Sequence, residues 1–201
     1  MIAILDYGSG NLRSAERAFA SAYSDVVVSS DPAICAEADG LVVPGVGAFG
    51  ACMDQLIEAG GAEIIDSRIA NELPTLGICV GMQVLFSQGR EKNAHKGLGI
   101  WPGDVALLDA PILPHIGWNT VSVGAGSRLF TGVEDERFYF VHSYAAKTSV
   151  PDCVNTTALY GQEFLAAVES TYVVATQFHP EKSGDAGLRL IENWVNHWVR
   201  A

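Results

Sequence analysis

No cluster of lysine or arginine occurs in the 201 residues, and 12 basic side chains face 23 acidic ones. Nucleic acids are held through basic groups that displace counterions from phosphates, so a formal charge of −11 argues against that class of partner. The same balance argues against an anionic membrane surface, and no apolar run nears the roughly 20 residues that span a bilayer. The N-terminal Met1-Ile-Ala-Ile-Leu-Asp6 lacks the basic region and long apolar stretch of a secretion signal. Cysteine is scarce. Cys35, Cys52, Cys79 and Cys153 lie far apart, make no Cys-x-x-Cys pair and have no histidine at metal-finger spacing. A disulfide framework and a structural metal are therefore not expected, and a reducing cytoplasm is the expected setting.

What is present points to a folded α/β chain. Apolar residues make up 49% and glycines number 21, many of them at the ends of apolar runs, where tight strand-to-helix turns fall. Ile2 to Leu5, Val26 to Val28, Leu41 to Val43 and Thr75 to Ile78 read as short strands. Between them, Leu12, Ala15, Ala18, Phe19 and Ala22 recur at helical spacing, and Asp31 before Pro32 caps a second helix. Further helices are expected from near Phe49 and from Ala62 to Asn71. Strands alternating with helices indicate a largely parallel sheet. From Leu98 to Thr176 the pattern changes to short strands joined at Gly, Pro and Asp. A closing helix from about Asp185 to Arg200 carries the stripe Leu188, Ile191, Trp194, Val195 and Trp198. No linker or repeat divides the chain, so residues 1–201 are read as one domain.

Gly77-Ile78-Cys79-Val80-Gly81 has the Gly-x-nucleophile-x-Gly form of a nucleophile elbow, with cysteine as the nucleophile. A reactive side chain at the tip of a sharp strand-to-helix turn needs flanking glycines to relieve Cβ clashes. A helix from Val80 to about Phe86 would point its positive end at the thiol and favour a thiolate. For Cys35, Cys52 and Cys153 the reading is a small buried hydrophobe. Cysteine catalysis also needs an imidazole to move the proton and a group to hold that imidazole in place. His179, at the end of the apolar run Tyr172 to Ala175, and Glu181, two residues on in an extended segment, supply both. His95 and His197 are expected in solvent, and His115 and His142 in packed, hydrogen-bonded positions. Pro44-Gly45-Val46-Gly47 ends a strand that should lie beside Cys79. Its backbone N–H groups, with that of Val80, are candidates for an oxyanion hole. The Tyr7-Gly-Ser-Gly10 turn lacks the full dinucleotide fingerprint and any Walker lysine, so no nucleotide or other cofactor is expected.

Six segments occur in order: Asp6-Tyr-Gly-Ser-Gly-Asn-Leu12, Pro44-Gly-Val-Gly-Ala-Phe49, Gly77-Ile-Cys-Val-Gly-Met-Gln83, Pro114-His-Ile-Gly-Trp-Asn119, Phe140-Val-His-Ser-Tyr144 and Gln177-Phe-His-Pro-Glu-Lys-Ser183. Together they resemble the class I glutamine amidotransferase family, in particular the glutaminase subunits of imidazole glycerol phosphate synthase. Ile116 and Val80 stand where methionine and leucine are common there, both apolar exchanges. The resemblance implies a flavodoxin/Rossmann-like three-layer fold with a nucleophile elbow, a mostly parallel central sheet and additional antiparallel strands in the C-terminal half. It implies hydrolysis of glutamine through a Cys79 thioester, with Cys79, His179 and Glu181 catalytic and Gly45, Val46, Gly47 and Val80 around the oxyanion. By the same resemblance Gln83, Glu91, Ser143 and Tyr144 contact substrate. The implied partner is a (β/α)8-barrel cyclase that takes up the ammonia for histidine biosynthesis and docks near Asn11, Trp118, Tyr139 and Lys182. Core packing is the competing reading of Trp118 and Tyr139. The alternatives are a cysteine peptidase, another class I glutaminase and a non-catalytic subunit.

Overall fold

The computed structural model describes residues 1–201. Its first half runs β1 (Ile2–Leu5), α1 (Leu12–Ala22), β2 (Val26–Ser29), α2 (Pro32–Glu37), β3 (Gly40–Gly45), α3 (Phe49–Glu58), α4 (Gly61–Ala70), β4 (Thr75–Cys79) and α5 (Val80–Gln83). The second half adds β5 (Phe86–Gly89), β6 (His95–Lys96), β7 (Trp101–Leu107), β8 (His115–Thr120), β9 (Arg137–His142) and β10 (Tyr144–Ala146). It ends with β11 (Val154–Tyr160), β12 (Gln162–Glu169), β13 (Val173–Thr176) and α6 (Gly184–Trp194).

Seven strands form the central sheet in the order β11-β12-β13-β4-β3-β1-β2. The five from β13 to β2 are parallel, and β12 and β11 continue antiparallel at one edge. Helix α1 packs on α6, and α2 and α3 pack on α4, giving the outer layers of a three-layer α/β fold. Strands β1, β3, β4 and β13 are buried along their whole length. Parallel strands covered on both faces carry such apolar runs, which is why Ile2 to Leu5, Leu41 to Val43 and Thr75 to Ile78 were legible. β2, at the sheet's edge, is half-buried. Asn11 caps α1 by accepting from the Ser14 N–H at 3.3 Å. Asp31 caps α2 by accepting from the Ala33 N–H at 2.9 Å, ahead of Pro32. The remaining strands form a four-stranded sheet, β10-β7-β5-β6, and a separate two-stranded ribbon of β8 and β9. No helix is long and apolar enough to cross a membrane.

Several expectations are corrected. The helix after Cys79 stops at Gln83, not near Phe86. Carbonyls of Val84, Leu85 and Phe86 are taken by the N–H groups of Leu98, Trp101 and Gly99 at 2.8 to 3.1 Å, which pulls the chain into β5. Pro44 and Gly45 belong to β3 rather than to the turn beyond it. Pairing with β1 ends at Val42, and Tyr7 Oη donates to the Pro44 carbonyl at 2.6 Å, so proline's missing N–H falls where β1 has ended. The C-terminal helix changes to a π-helical turn over Val195–Val199, with Arg200 N–H on the Val195 carbonyl at 3.0 Å. Ile191, Trp194, Val195 and Trp198 are buried as expected, Leu188 only half so, and Leu190 joins them. His95 and His197 are half-buried rather than solvated, the His95 ring lying against Gly50. Cys153 is only partly buried, whereas Cys35 and Cys52 are in the core.

One buried charge had no sequence signal. Arg68, on α4, is fully buried, and its guanidinium donates to the carbonyls of Cys35, Ala36, Ala38 and Pro74 at 2.7 to 3.1 Å. It thus caps the C-terminal end of α2 and ties it to the chain entering β4. Burial pushes its pKa down to about 10, which still leaves it charged at neutral pH. Arg68→Met, similar in bulk, takes the guanidinium donors from the Cys35, Ala36 and Ala38 carbonyls, while Pro74 keeps the Leu41 N–H at 3.0 Å. The expected loss is about 3 kcal/mol in urea-induced unfolding; a change below about 1 kcal/mol would show the cap to be dispensable.

Candidate active site

β4 ends in a turn that ordinary side chains resist. Cys79 has φ 57° and ψ −111°, a positive φ that costs on the order of 1–3 kcal/mol outside glycine. The neighbouring glycines make it possible. A Cβ on Gly81 would lie 1.9 Å from the Val43 carbonyl oxygen, and one on Gly77 would lie 2.6 Å from that of Gly81. The thiol faces a cavity of about 240 Å³. Cys79, Gln83, Glu91, Ser143, Tyr144, His179, Val46, Gly47 and Val80 all line it, so the sequence-derived site residues are brought together from β3 to the last loop. Gly45 lies behind the cavity, paired with Cys79 in register, and Glu181 stands behind His179.

His179 Nδ1 meets Glu181 Oε1 at 2.8 Å, with both side chains about 95% buried. The contact was expected from an extended segment, but Glu181 instead lies in a 3-10 turn over Pro180–Lys182 that curls its carboxylate back under the ring. Burial alone would pull the imidazole pKa down. Hydrogen bonding and charge from Cys79 and Glu181 outweigh it and push the pKa up to about 9. The loop hangs from β9: the His179 N–H donates to the Tyr139 carbonyl at 2.9 Å, and the Tyr139 N–H donates to Ser183 Oγ at 3.0 Å.

As the first helical residue, Val80 has an N–H without a partner inside its helix. With only four residues, α5 offers local N–H donors rather than a long macrodipole. The other expected donor is turned elsewhere. The Val46 N–H donates to Ser9 Oγ at 3.1 Å, while the Val46 carbonyl accepts from Ser9 Oγ at 2.9 Å and from Cys52 Sγ at 3.2 Å. Glu91 is no loose surface acid. Its Oε2 accepts from the Phe49 N–H at 3.0 Å, capping α3, which has no side-chain cap of its own. Lys182 lines the cavity. Trp118 is 52% exposed and stacks edge-on with half-buried Tyr139 at 5.9 Å, which removes the reading of Trp118 as a core aromatic. Asn11 is exposed at its cap.

Two residues inside quoted motifs acquire contacts that the sequence did not signal. Ser9 holds Val46, and buried Gln177 places its Nε2 3.7 Å from Cys79 Sγ. His115 and His142 are packed and bonded as expected, Nδ1 to Nε2 at 3.1 Å.

Fold and site together define a cysteine-centred amidase, and comparison with known proteins agrees. A family model described as "Glutamine amidotransferase class-I" matches residues 3–198, and the chain belongs to that family. Nearer likeness is to proteins named imidazole glycerol phosphate synthase subunit HisH. The one from Corynebacterium efficiens is 53% identical over 98% of each chain, and those from Nocardia farcinica and Mycobacterium tuberculosis are 56% and 54% identical over 97%. Among solved structures, a glutamine amidotransferase aligns with TM-score 0.79 at 17% identity, over 100% of this chain and 99% of that one. PurLQS from Thermotoga maritima aligns with TM-score 0.68 at 18% identity, over 97% of each chain. At those identities the two structures show a shared fold.

The histidine pair makes stability depend on pH. Burial pushes the pKa of His115 down to about 4 and of His142 to about 3, from an ordinary 6.5. The unfolded chain therefore takes up protons first as pH falls below 6.5, and the folded state loses stability from there downward. His179 acts at the other end: its contribution is complete below 6.5 and is lost as pH rises through about 9. Denaturation midpoints should drop between pH 6.5 and 5, where few carboxylates titrate, and a flat midpoint across that window would contradict the neutral pair.

Proposed function

We propose that the chain, acting as one amidotransferase domain over residues 1–201, hydrolyses glutamine at Cys79 and hands ammonia to a cyclase subunit. In this reading it is the glutaminase of imidazole glycerol phosphate synthase in histidine biosynthesis. The observation that carries it is Cys79 held at positive φ in one cavity with a His179–Glu181 pair. Sulfur attacks the carboxamide carbon, and the carbonyl electrons move to oxygen. Val80 N–H supports that oxyanion, and the Val46 N–H joins it once released from Ser9. Collapse expels the amine with a proton from His179, leaving a thioester; water, deprotonated by His179, then releases glutamate. Glu91 has a carboxylate edge free for the substrate's ammonium, and Ser143 and Tyr144 border the cavity where its carboxylate would lie.

Ammonia in neutral water is mostly ammonium, which is not nucleophilic, so a docked acceptor with a sheltered path makes chemical sense. A (β/α)8-barrel cyclase seated over Trp118, Tyr139, Asn11 and Lys182 meets that need. The peptide before Val46 offers a gate. While its N–H is on Ser9, the hole has one donor fewer, and the isolated chain would be slow.

Glutamate release, measured with and without the cyclase and its nucleotide ligand, should rise on docking. It should fall at least ~1000-fold in Cys79→Ala; release unaffected by that substitution would end the proposal. Ser9→Ala removes one net hydrogen bond, about 1 kcal/mol, from the resting peptide. Partner-free hydrolysis should then rise about fivefold. An unchanged basal rate would mean that Ser9 does not hold the gate.

A further inference from the structure

We propose that Gln177 is a further catalytic residue whose side-chain amide donates to the Cys79 sulfur, and that Gln83 is the positioning residue that turns it there. The inference rests on Cys79 being the nucleophile. Gln177 is 1% exposed, and a buried primary amide must place both its donor and its acceptor end. Which end meets the sulfur follows from its neighbours.

The starting point is the Tyr144 carbonyl, which can only accept. It faces His142 Nδ1 at 3.0 Å and Gln83 Nε2 at 2.9 Å, so both must be donors. The second proton on Gln83 Nε2 meets Gln177 Oε1 at 3.0 Å. Gln177 thus has its oxygen committed, and its NH₂ is the end left 3.7 Å from Cys79 Sγ. Reversing Gln177 would set NH₂ against NH₂ and oxygen against sulfur. The histidine side agrees. With its Nδ1 donating, His142 accepts at Nε2 from His115 Nδ1 at 3.1 Å. The bonds therefore diverge from Gln83, whose Nε2 donates both to the Tyr144 carbonyl, in the segment lining the cavity, and to Gln177, which in turn donates to the sulfur.

A neutral thiol accepts hydrogen bonds weakly and a thiolate strongly. The Gln177 donor therefore favours the sulfur as attacking anion. It favours it again as leaving group when the thioester opens, where the C–S electron pair returns to sulfur. Gln83, with both Nε2 protons used, has only Oε1 left for a ligand.

The test is iodoacetamide alkylation of Cys79, followed by mass spectrometry of the Cys79 peptide so that Cys35, Cys52 and Cys153 do not confuse the reading. Gln177→Met keeps bulk without a donor and should react roughly tenfold slower at pH 7, with the difference narrowing as the pH is raised. In the complex with the cyclase, kcat should fall about tenfold with KM within about twofold. Gln83→Met, which frees the amide to rotate, should slow alkylation at pH 7 by a smaller factor. Gln177→Glu can accept from Gln83 but presents no donor as a carboxylate, and should slow it more. Should Gln177→Met lose cooperative unfolding, Gln177→Glu decides. Equal alkylation of wild type and the Gln177 variants at pH 7 overturns the inference even if Cys79→Ala abolishes hydrolysis. Hydrolysis surviving in Cys79→Ala instead overturns the mechanism on which it rests.

Discussion

Everything chemical in this molecule depends on one backbone constraint, the positive φ of Cys79 at the end of β4. A residue does not stay there unless its surroundings over-determine it. β3 does so by running alongside as far as Gly45, in register with Cys79, while α5 folds back against Val43 so closely that only glycine fits at position 81. The turn puts the sulfur at the cavity wall, beside the start of α5 at Val80. The sheet serves as the rigid bed against which that turn is pressed.

The first half of the fold was legible because burial on both faces leaves a plain signature. Strands made almost wholly of apolar residues, alternating with helices, state both their own type and their parallel pairing. The elbow and the His179–Glu181 pair were legible because their chemistry demands particular residues at short spacing. What escaped was long-range. The helix after Cys79 was overdrawn because a segment more than ten residues further on claims its carbonyls. Arg68 reads as an ordinary helical cation, and only tertiary structure shows the four carbonyls it serves. Glu181 reached its partner by a 3-10 turn rather than an extended strand, so the contact was right and the route wrong.

Ser9 and Gln177 were missed for a related reason. Both sat inside motifs already read for neighbouring residues, and their importance lies in what they hold rather than in what they resemble. Ser9 takes both backbone groups of Val46, and Gln177 lies between the Cys79 sulfur and Gln83, which is itself held on the Tyr144 carbonyl. Short polar side chains settle the orientation of peptide and amide groups around the sulfur. Orientation of this kind is invisible to composition and periodicity, since it depends on which neighbour can only accept and which can only donate.

The β8–β9 ribbon belongs to neither larger sheet, yet the loop carrying His179 is slung from its Tyr139 backbone, and Trp118 projects from the adjoining strand. Mechanically it is a braced strut, with Trp118 at its outer edge and the His179 loop hung from its inner one. Tyr139 holds that loop through one bond from the His179 N–H and one to the Ser183 hydroxyl, while Phe138 and Phe140 on either side of it are buried against Phe178. The loop that carries His179 is thus clamped between an aromatic edge open to solvent and the core behind it, so it cannot shift without disturbing one or the other.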